Sequence, residues 1–380
     1  MISFEMSSEQ VLLQEKFRKL AKEELQTYSL EIDKKSPGPI DKFFLKTIAE
    51  QELNKFIIPE EYGGKPLDWV TLSIITEELG YGCAGLASCY LATLHAVSTI
   101  LIGGTEVQKR TFLPLLLSSE GEVASYLMTE EKGGSDTTHC TTTARLEGDN
   151  YIINGKKVAI LNTGNAVFYV VWANLEHTRG RAGINAFIIP KDTQGLTFAP
   201  YDDKSGLRNA PTSNVYLKDV VVPKENLIGF VGSGYLLLAQ TLDMGRAFFG
   251  AICLGLARAA LEEATNFSKN RMVLKRRIIN NQGINLTLAE LSTRLEAARL
   301  LVWKACRHMD INKDYSVESS MAKLFASELA FCASSEGLQF MGQKGYMKSS
   351  LMEKLQRDAL ILRIVEGTNI VQRVIIASQL

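Results

Sequence analysis

Arg363-Ile364-Val365-Glu366-Gly367-Thr368-Asn369-Ile370-Val371-Gln372-Arg373 lies close to the carboxyl end of a 380-residue chain, and the rest of the sequence arranges itself around it. Glu366 stands between Val365 and Gly367 with no cation within two positions. Apolar surroundings disfavour the charged form of a carboxylate, so its pKa is expected to rise until it is a usable base near neutral pH. Gly367 permits close approach of a ligand to the backbone, and Thr368 supplies a hydroxyl. On spacing alone the alternative is a glutamate in a turn between two helices.

A chain of this length exceeds one small core and predicts two or three units. Apolar residues make up 46% and charged residues 22%, as in an ordinary globular protein. Lysine plus arginine and aspartate plus glutamate both number 42, so no net field draws nucleic acid or an anionic membrane as a partner. No apolar run reads as the roughly 18 to 20 residues needed to span a bilayer. The start, Met1-Ile2-Ser3-Phe4-Glu5, has no basic region followed by an apolar one, and a cytoplasmic location is expected. Cys83, Cys89, Cys140, Cys253, Cys306 and Cys332 are scattered without metal-ligand spacing and read as reduced structural thiols. His95, His139, His177 and His308 are isolated from them, so no metal site is expected.

Taken in order, residues 1 to about 120 predict helices. Ser7-Ser8-Glu9-Gln10 and Gly104-Thr105-Glu106-Val107-Gln108-Lys109 offer capped entries, and Pro37-Gly38-Pro39 and Pro59 with Gly63-Gly64 interrupt. From 121 to 228 the pattern changes. Thr142 to Leu146 and Tyr151 to Asn154 flank a Gly-Asp turn, and 167–172, 186–189 and 215–217 are β-branched and aromatic runs. These predict a compact all-β unit, a barrel or sandwich. From 229 to 380 long helical stripes return, with Thr241 to Arg246 opening a helix. Leu288, Leu291, Leu295, Ala298 and Val302 form one stripe, with Glu290 and Arg294 placed to pair, and a four-helix bundle is expected. The fold class is therefore mostly α with a central β domain.

Two further stretches are positioned for chemistry. Tyr126-Leu127-Met128-Thr129-Glu130-Glu131-Lys132-Gly133-Gly134-Ser135-Asp136 offers glycine amides and hydroxyls to a ring edge or a phosphate, or else is a polar loop. Asp243 and Arg246 share a helix face, which a solvated ion pair would explain. Together with Glu366-Gly367-Thr368, these phrases resemble the acyl-CoA dehydrogenase family, closest to its short-chain members, and matches run from about residue 8 to 380.

That resemblance implies FAD as cofactor and an α,β-dehydrogenation of an acyl thioester. Glu366 would be the base, with Gly367 and Val365 beside the acyl group, and Thr368 and Ile370 near the dinucleotide. Tyr126, Leu127, Thr129, Gly134 and Ser135 would line the flavin, and Ser135 would also touch the thioester. Asp243, Gly245 and Arg246 would contact the CoA portion; some relatives carry their base at the position of Gly245, which leaves Glu366 as the candidate. Arg271 and Gln282 would reach the FAD of a neighbouring subunit, while Gln339, Gly342 and Gln343 would cross the dinucleotide. The chain departs from the family's pattern at Ala159-Ile160-Leu161, where a tryptophan and a threonine usually flank the isoleucine, and at Gln343, usually glycine. Weaker flavin retention or a roomier acyl site is expected. The family's homotetramer and an electron-transfer flavoprotein or other acceptor are the implied partners. The rival readings are a dehydrogenase or oxidase acting on an acyl group carried by a carrier protein, and an inactive paralogue with a structural role.

Overall fold

A computed structural model describes residues 4–176, 178 and 180–380; Met1 to Ser3 and His177, used above, lie outside the described residues. Helices α1 (Ser8–Leu20), α2 (Gln26–Lys35), α3 (Lys42–Glu50), α4 (Trp69–Gly82), α5 (Ala84–Gly103) and α6 (Glu106–Phe112) come first. Two of them start where the sequence offers a capping box. Ser7 Oγ accepts from Gln10 N while Gln10 Oε1 accepts from Ser7 N, and Thr105 and Gln108 repeat the arrangement.

Eight strands follow as one sheet: β1 (Val123–Leu127), β2 (Thr143–Glu147), β3 (Asn150–Leu161), β4 (Ala166–Leu175), β5 (Ile184–Pro190), β6 (Leu196–Phe198), β7 (Thr212–Pro223) and β8 (Leu227–Ile228). The order is β6-β7-β3-β2-β4-β5-β8, with β1 parallel to β4. Strand β4 explains the continuous apolar run seen in the sequence. Tyr169, Val171 and Ala173 face the sheet's own core, whereas Phe168, Val170 and Trp172 pack into the helical core. Both faces are buried, so the alternation of apolar and polar residues disappears.

Helices then return as α7 (Gly234–Asn270), α8 (Gln282–Asp310), α9 (Ser316–Met341), α10 (Gln343–Tyr346), α11 (Leu351–Leu362) and α12 (Asn369–Ala377), with a small exposed hairpin, β9 (Met272–Val273) and β10 (Arg276–Arg277), between α7 and α8. Thr241 to Arg246 does not open a helix; it lies inside α7. Arg294 does not pair with Glu290 but sits 5.9 Å over the Phe325 ring and donates to Cys332 Sγ.

Contrary to the sequence reading, α5 and α7 are long and apolar enough to cross a membrane by length and composition. The fold buries 89% and 100% of those windows, which identifies both as central helices of a packed core. Between α4 and α7 sits a cluster that sequence patterning did not predict. Arg258 Nη1 donates at 2.9 Å to both Glu77 and Glu78, Arg299 Nη2 donates to Glu77 at 2.9 Å, and both glutamates are buried.

Candidate active site

The Glu366 turn connects α11 to α12 and is built from two successive left-handed residues, Glu366 at φ 59° and Gly367 at φ 77°. Gly367 leaves room for a neighbour from within the protein. A Cβ there would meet Gln372 Nε2 at 2.6 Å, so the glycine admits the protein's own amide, which donates to the carbonyls of Glu366 and Gly367. Lys323 of α9 donates to Gly367 O at 2.9 Å and to Asn369 Oδ1 at 2.8 Å. Burial pushes the Lys323 amine down to about 8. Thr368 caps α12 by accepting from Val371 N. Among the described residues the Glu366 N–H has no partner and is free to donate.

The carboxylate contradicts the sequence expectation. Burial does raise its pKa, but His95, Arg246 and Lys323 outweigh burial and hold it below the ordinary glutamate value. These groups come from α5, α7 and α9. They are invisible within two positions of Glu366 because tertiary packing supplies them. His95 Nε2 lies 3.3 Å from Glu366 Oε2.

A cavity of about 440 Å³ is lined by Trp69, Ser98, Asp243, Met244, Met309 and Tyr315, among others. Ser98 lies one helical turn from His95 and Met244 precedes Gly245, so the cavity and the His95–Glu366 contact share helices α5 and α7. Of the residues expected at the substrate, Asp243 lines this cavity; Ser135, Gly245, Arg246, Val365 and Gly367 do not. Asp243 and Arg246 form an ion pair, and it is half-buried rather than solvated, with side chains 19% and 10% exposed. Burial raises the Asp243 carboxyl despite that partner. Val365 packs against the helical core.

The residues expected at the flavin divide into three groups. Tyr126 and Leu127 are on β1 and Thr129 follows it, but the Leu127 side chain is fully buried in the sheet's core, and so is Ile160. Neither offers its side chain to a cofactor. The loop carrying Gly134 and Ser135 is anchored by Glu130, which accepts from Lys157 Nζ at 2.7 Å and from both N–H and hydroxyl of Thr142. Lys157, Thr142 and Thr141, whose N–H and hydroxyl also donate to Glu130, hold the Glu130 carboxyl far below its ordinary value against the effect of burial. Sequence reading missed Glu130 and Lys157 because their partnership spans 27 residues. Leu161, partly buried against the helical core, accepts from Ser125 Oγ through its carbonyl, whereas Ala159 is exposed at φ 54°. The third group, Arg271, Gln282, Gln339, Gly342, Gln343 and Ile370, is exposed at helix ends and bonds to nothing in the 126–135 segment.

These features agree with a single family. Its N-terminal, middle and C-terminal domain models match residues 7–120, 125–220 and 232–380. The chain belongs to the acyl-CoA dehydrogenase family. It is 36% identical to the mitochondrial short-chain specific acyl-CoA dehydrogenase of Rattus norvegicus, over all of this chain and 91% of that protein. The butyryl-CoA dehydrogenase of Megasphaera elsdenii superposes with a TM-score of 0.95 at 32% identity, over 100% of this chain and 99% of that one. The prolyl acyl carrier protein oxidase AnaB does so with 0.93 at 30% identity, over 99% of each.

Acyl-CoA dehydrogenases bind FAD, and the residues present here fit that cofactor. The Tyr126 hydroxyl is buried without a partner. Among the described residues the Thr129 and Ser135 hydroxyls are likewise unbonded, and a Cβ on Gly134 would meet nothing closer than 3.8 Å. The exposed Ala159 is the weak point. Ala159→Trp is expected to raise FAD affinity about two- to tenfold, the value of roughly 0.5–1.5 kcal/mol for an aromatic stack. The flavin-to-protein ratio after gel filtration measures this, and equal retention by wild type and variant refutes it. Thermal unfolding of the same samples reports the strain of a bulky residue in left-handed backbone.

Proposed function

We propose that this protein is an FAD-dependent acyl thioester dehydrogenase in which Glu366 removes the α-proton. One observation supports the reading: a half-buried carboxylate, held below its ordinary pKa by His95, Arg246 and Lys323, sits on a turn whose backbone carbonyls are held by Lys323 and Gln372, and it contacts His95 of α5, a helix that also lines the cavity of about 440 Å³. Bound FAD supplies the acceptor for the β-hydride. The chain's own residues do the rest. Glu366 takes the proton, and its free backbone N–H supplies a preorganised donor for the developing enolate oxygen. Asp243, which lines the cavity and is paired with Arg246, presents a polar group toward the thioester.

The test is a visible spectrum of the purified protein followed by anaerobic titration with butyryl-CoA and longer acyl-CoA esters. Bleaching of the flavin band by one of them supports the reading. A colourless protein that cannot be reconstituted with FAD favours the structural paralogue.

A second reading, an acyl group on a carrier protein, is supported by the likeness to AnaB and by the exposed Lys275, Arg276 and Arg277 at the β9–β10 hairpin, which suit an acidic partner. Turnover with the carrier-loaded acyl group but not the CoA ester decides for it. We propose further that the protein is a homotetramer. Leu274 is 92% exposed and follows the exposed Met272 and Val273, and Arg271 and Gln282 find no side-chain partner among the described residues. Light scattering tests this. An electron-transfer flavoprotein is the proposed acceptor, and six free cysteines suit the reducing cytoplasm.

A further inference from the structure

His95 lies at the middle of α5, a helix with no Lys, Arg, Asp or Glu. Its Nδ1 is 3.0 Å from Leu91 O. A carbonyl only accepts, so Nδ1 carries the ring's first proton and Nε2 is left with a lone pair. Nε2 faces Glu366 Oε2 at 3.3 Å, and both atoms are buried with no other partner. An ionised carboxylate is also acceptor-only. Two acceptors in contact in a dry site are held together only if a proton lies between them.

The neighbouring glycine makes the contact possible. A Cβ on Gly245 would stand 1.9 Å from His95 Nε2 and 2.6 Å from Cε1. The imidazole therefore fills the space that a side chain at 245 would take. Other charged or titratable groups around Glu366 are Arg246 on α7, Lys323 on α9 and Tyr126 on β1. Arg246 is engaged by Asp243, and Lys323 donates to the turn's carbonyl and to Asn369. The Tyr126 ring lies 5.1 Å from that of His95. None of these is placed to bond Oε2.

We propose that His95 is a positioning residue for Glu366: it shares a proton with Oε2, fixes the carboxyl, and leaves Oε1 to receive the substrate proton, with Gly245 kept side-chain-free to admit it. When the α-C–H bond breaks, its electron pair stays with the substrate and the proton bonds to Oε1. The pair then holds two protons and one net positive charge, opposite the enolate that has just formed. The inference rests on Glu366 being the base.

The experiment uses the FAD-loaded enzyme and the acyl-CoA ester that bleaches it. Loss of the imidazole leaves burial less opposed, so Glu366 binds its proton at higher pH. In His95→Leu the acid limb of the kcat/KM profile is expected to move up by about one pH unit. His95→Gln, which keeps a donor, should recover part of that shift. Gly245→Ala should reproduce the His95→Leu shift by displacing the ring. A purely packing role would change stability and leave the limb in place, so an unmoved limb in all three variants overturns the proposal. Thermal unfolding of His95→Leu, Glu366→Gln and the double variant provides a readout independent of catalysis. Non-additive Tm shifts are expected, and additive ones overturn the pairing. Full turnover by Glu366→Gln sinks the assignment of the base instead, and the unfolding cycle then decides on the pair by itself.

Discussion

Glu366→Gln is expected to leave FAD bound and to slow flavin reduction by an acyl thioester roughly 10²–10⁴-fold, the range for loss of a positioned general base. Glutamine keeps the shape and the turn, since Gly367, Gln372 and Lys323 act through backbone carbonyls of the turn rather than through the carboxylate. Stopped-flow bleaching of the flavin band measures the rate, and an unchanged rate rules Glu366 out. The wild-type pH dependence follows from the direction of its shift. A carboxyl held below its ordinary value stays ionised through neutral pH. Activity is therefore expected to persist across neutrality and to fall only in acid, as pH drops through the lowered pKa. A base raised by burial alone would instead lose activity near neutrality.

Arg258→Met is expected to cost about 3–5 kcal/mol of stability, the usual effect of removing one partner from a buried ionic cluster. Arg258 is 4% exposed and supports Glu77 and Glu78, which are 2% and 0% exposed; its guanidinium also stacks 4.6 Å over the Tyr81 ring. Arg299 still reaches Glu77, but the remaining contact to Glu78 is the half-exposed Arg18 at 3.3 Å. The pH dependence fixes the mechanism. Burial pushes the Glu77 carboxyl up, yet Arg258 and Arg299 pull it below its ordinary value. In the wild type its contribution is full above the unfolded-state pKa and is lost as pH falls through the lower folded value. In Arg258→Met, burial is less opposed, and lowering the pH is expected to reduce the deficit relative to wild type. Urea unfolding at several pH values measures both. A loss under about 1 kcal/mol, constant with pH, contradicts this account.

The helix–sheet–helix order was legible from residue patterns, because it is written in local signals. Ser7 and Thr105 cap helices with glutamines three residues on, and Glu147-Gly148-Asp149-Asn150 turns one hairpin whose strands pair from Thr143–Asn154 to Glu147–Asn150. Sequence reading also singled out Glu366, since the phrase around it is contiguous. Local patterning failed where the chain is buried on every side. Helix α5 shows no stripe for that reason, and His95 within it looked like an isolated imidazole. The electrostatics of the base came from packing between distant segments. His95, Arg246 and Lys323 are separated from Glu366 by tens to hundreds of residues, and the sign of a carboxylate's pKa shift depends on charges in space rather than along the chain. The glycine at 245 carries the same lesson: its absent side chain has meaning only because an imidazole from another helix occupies that volume.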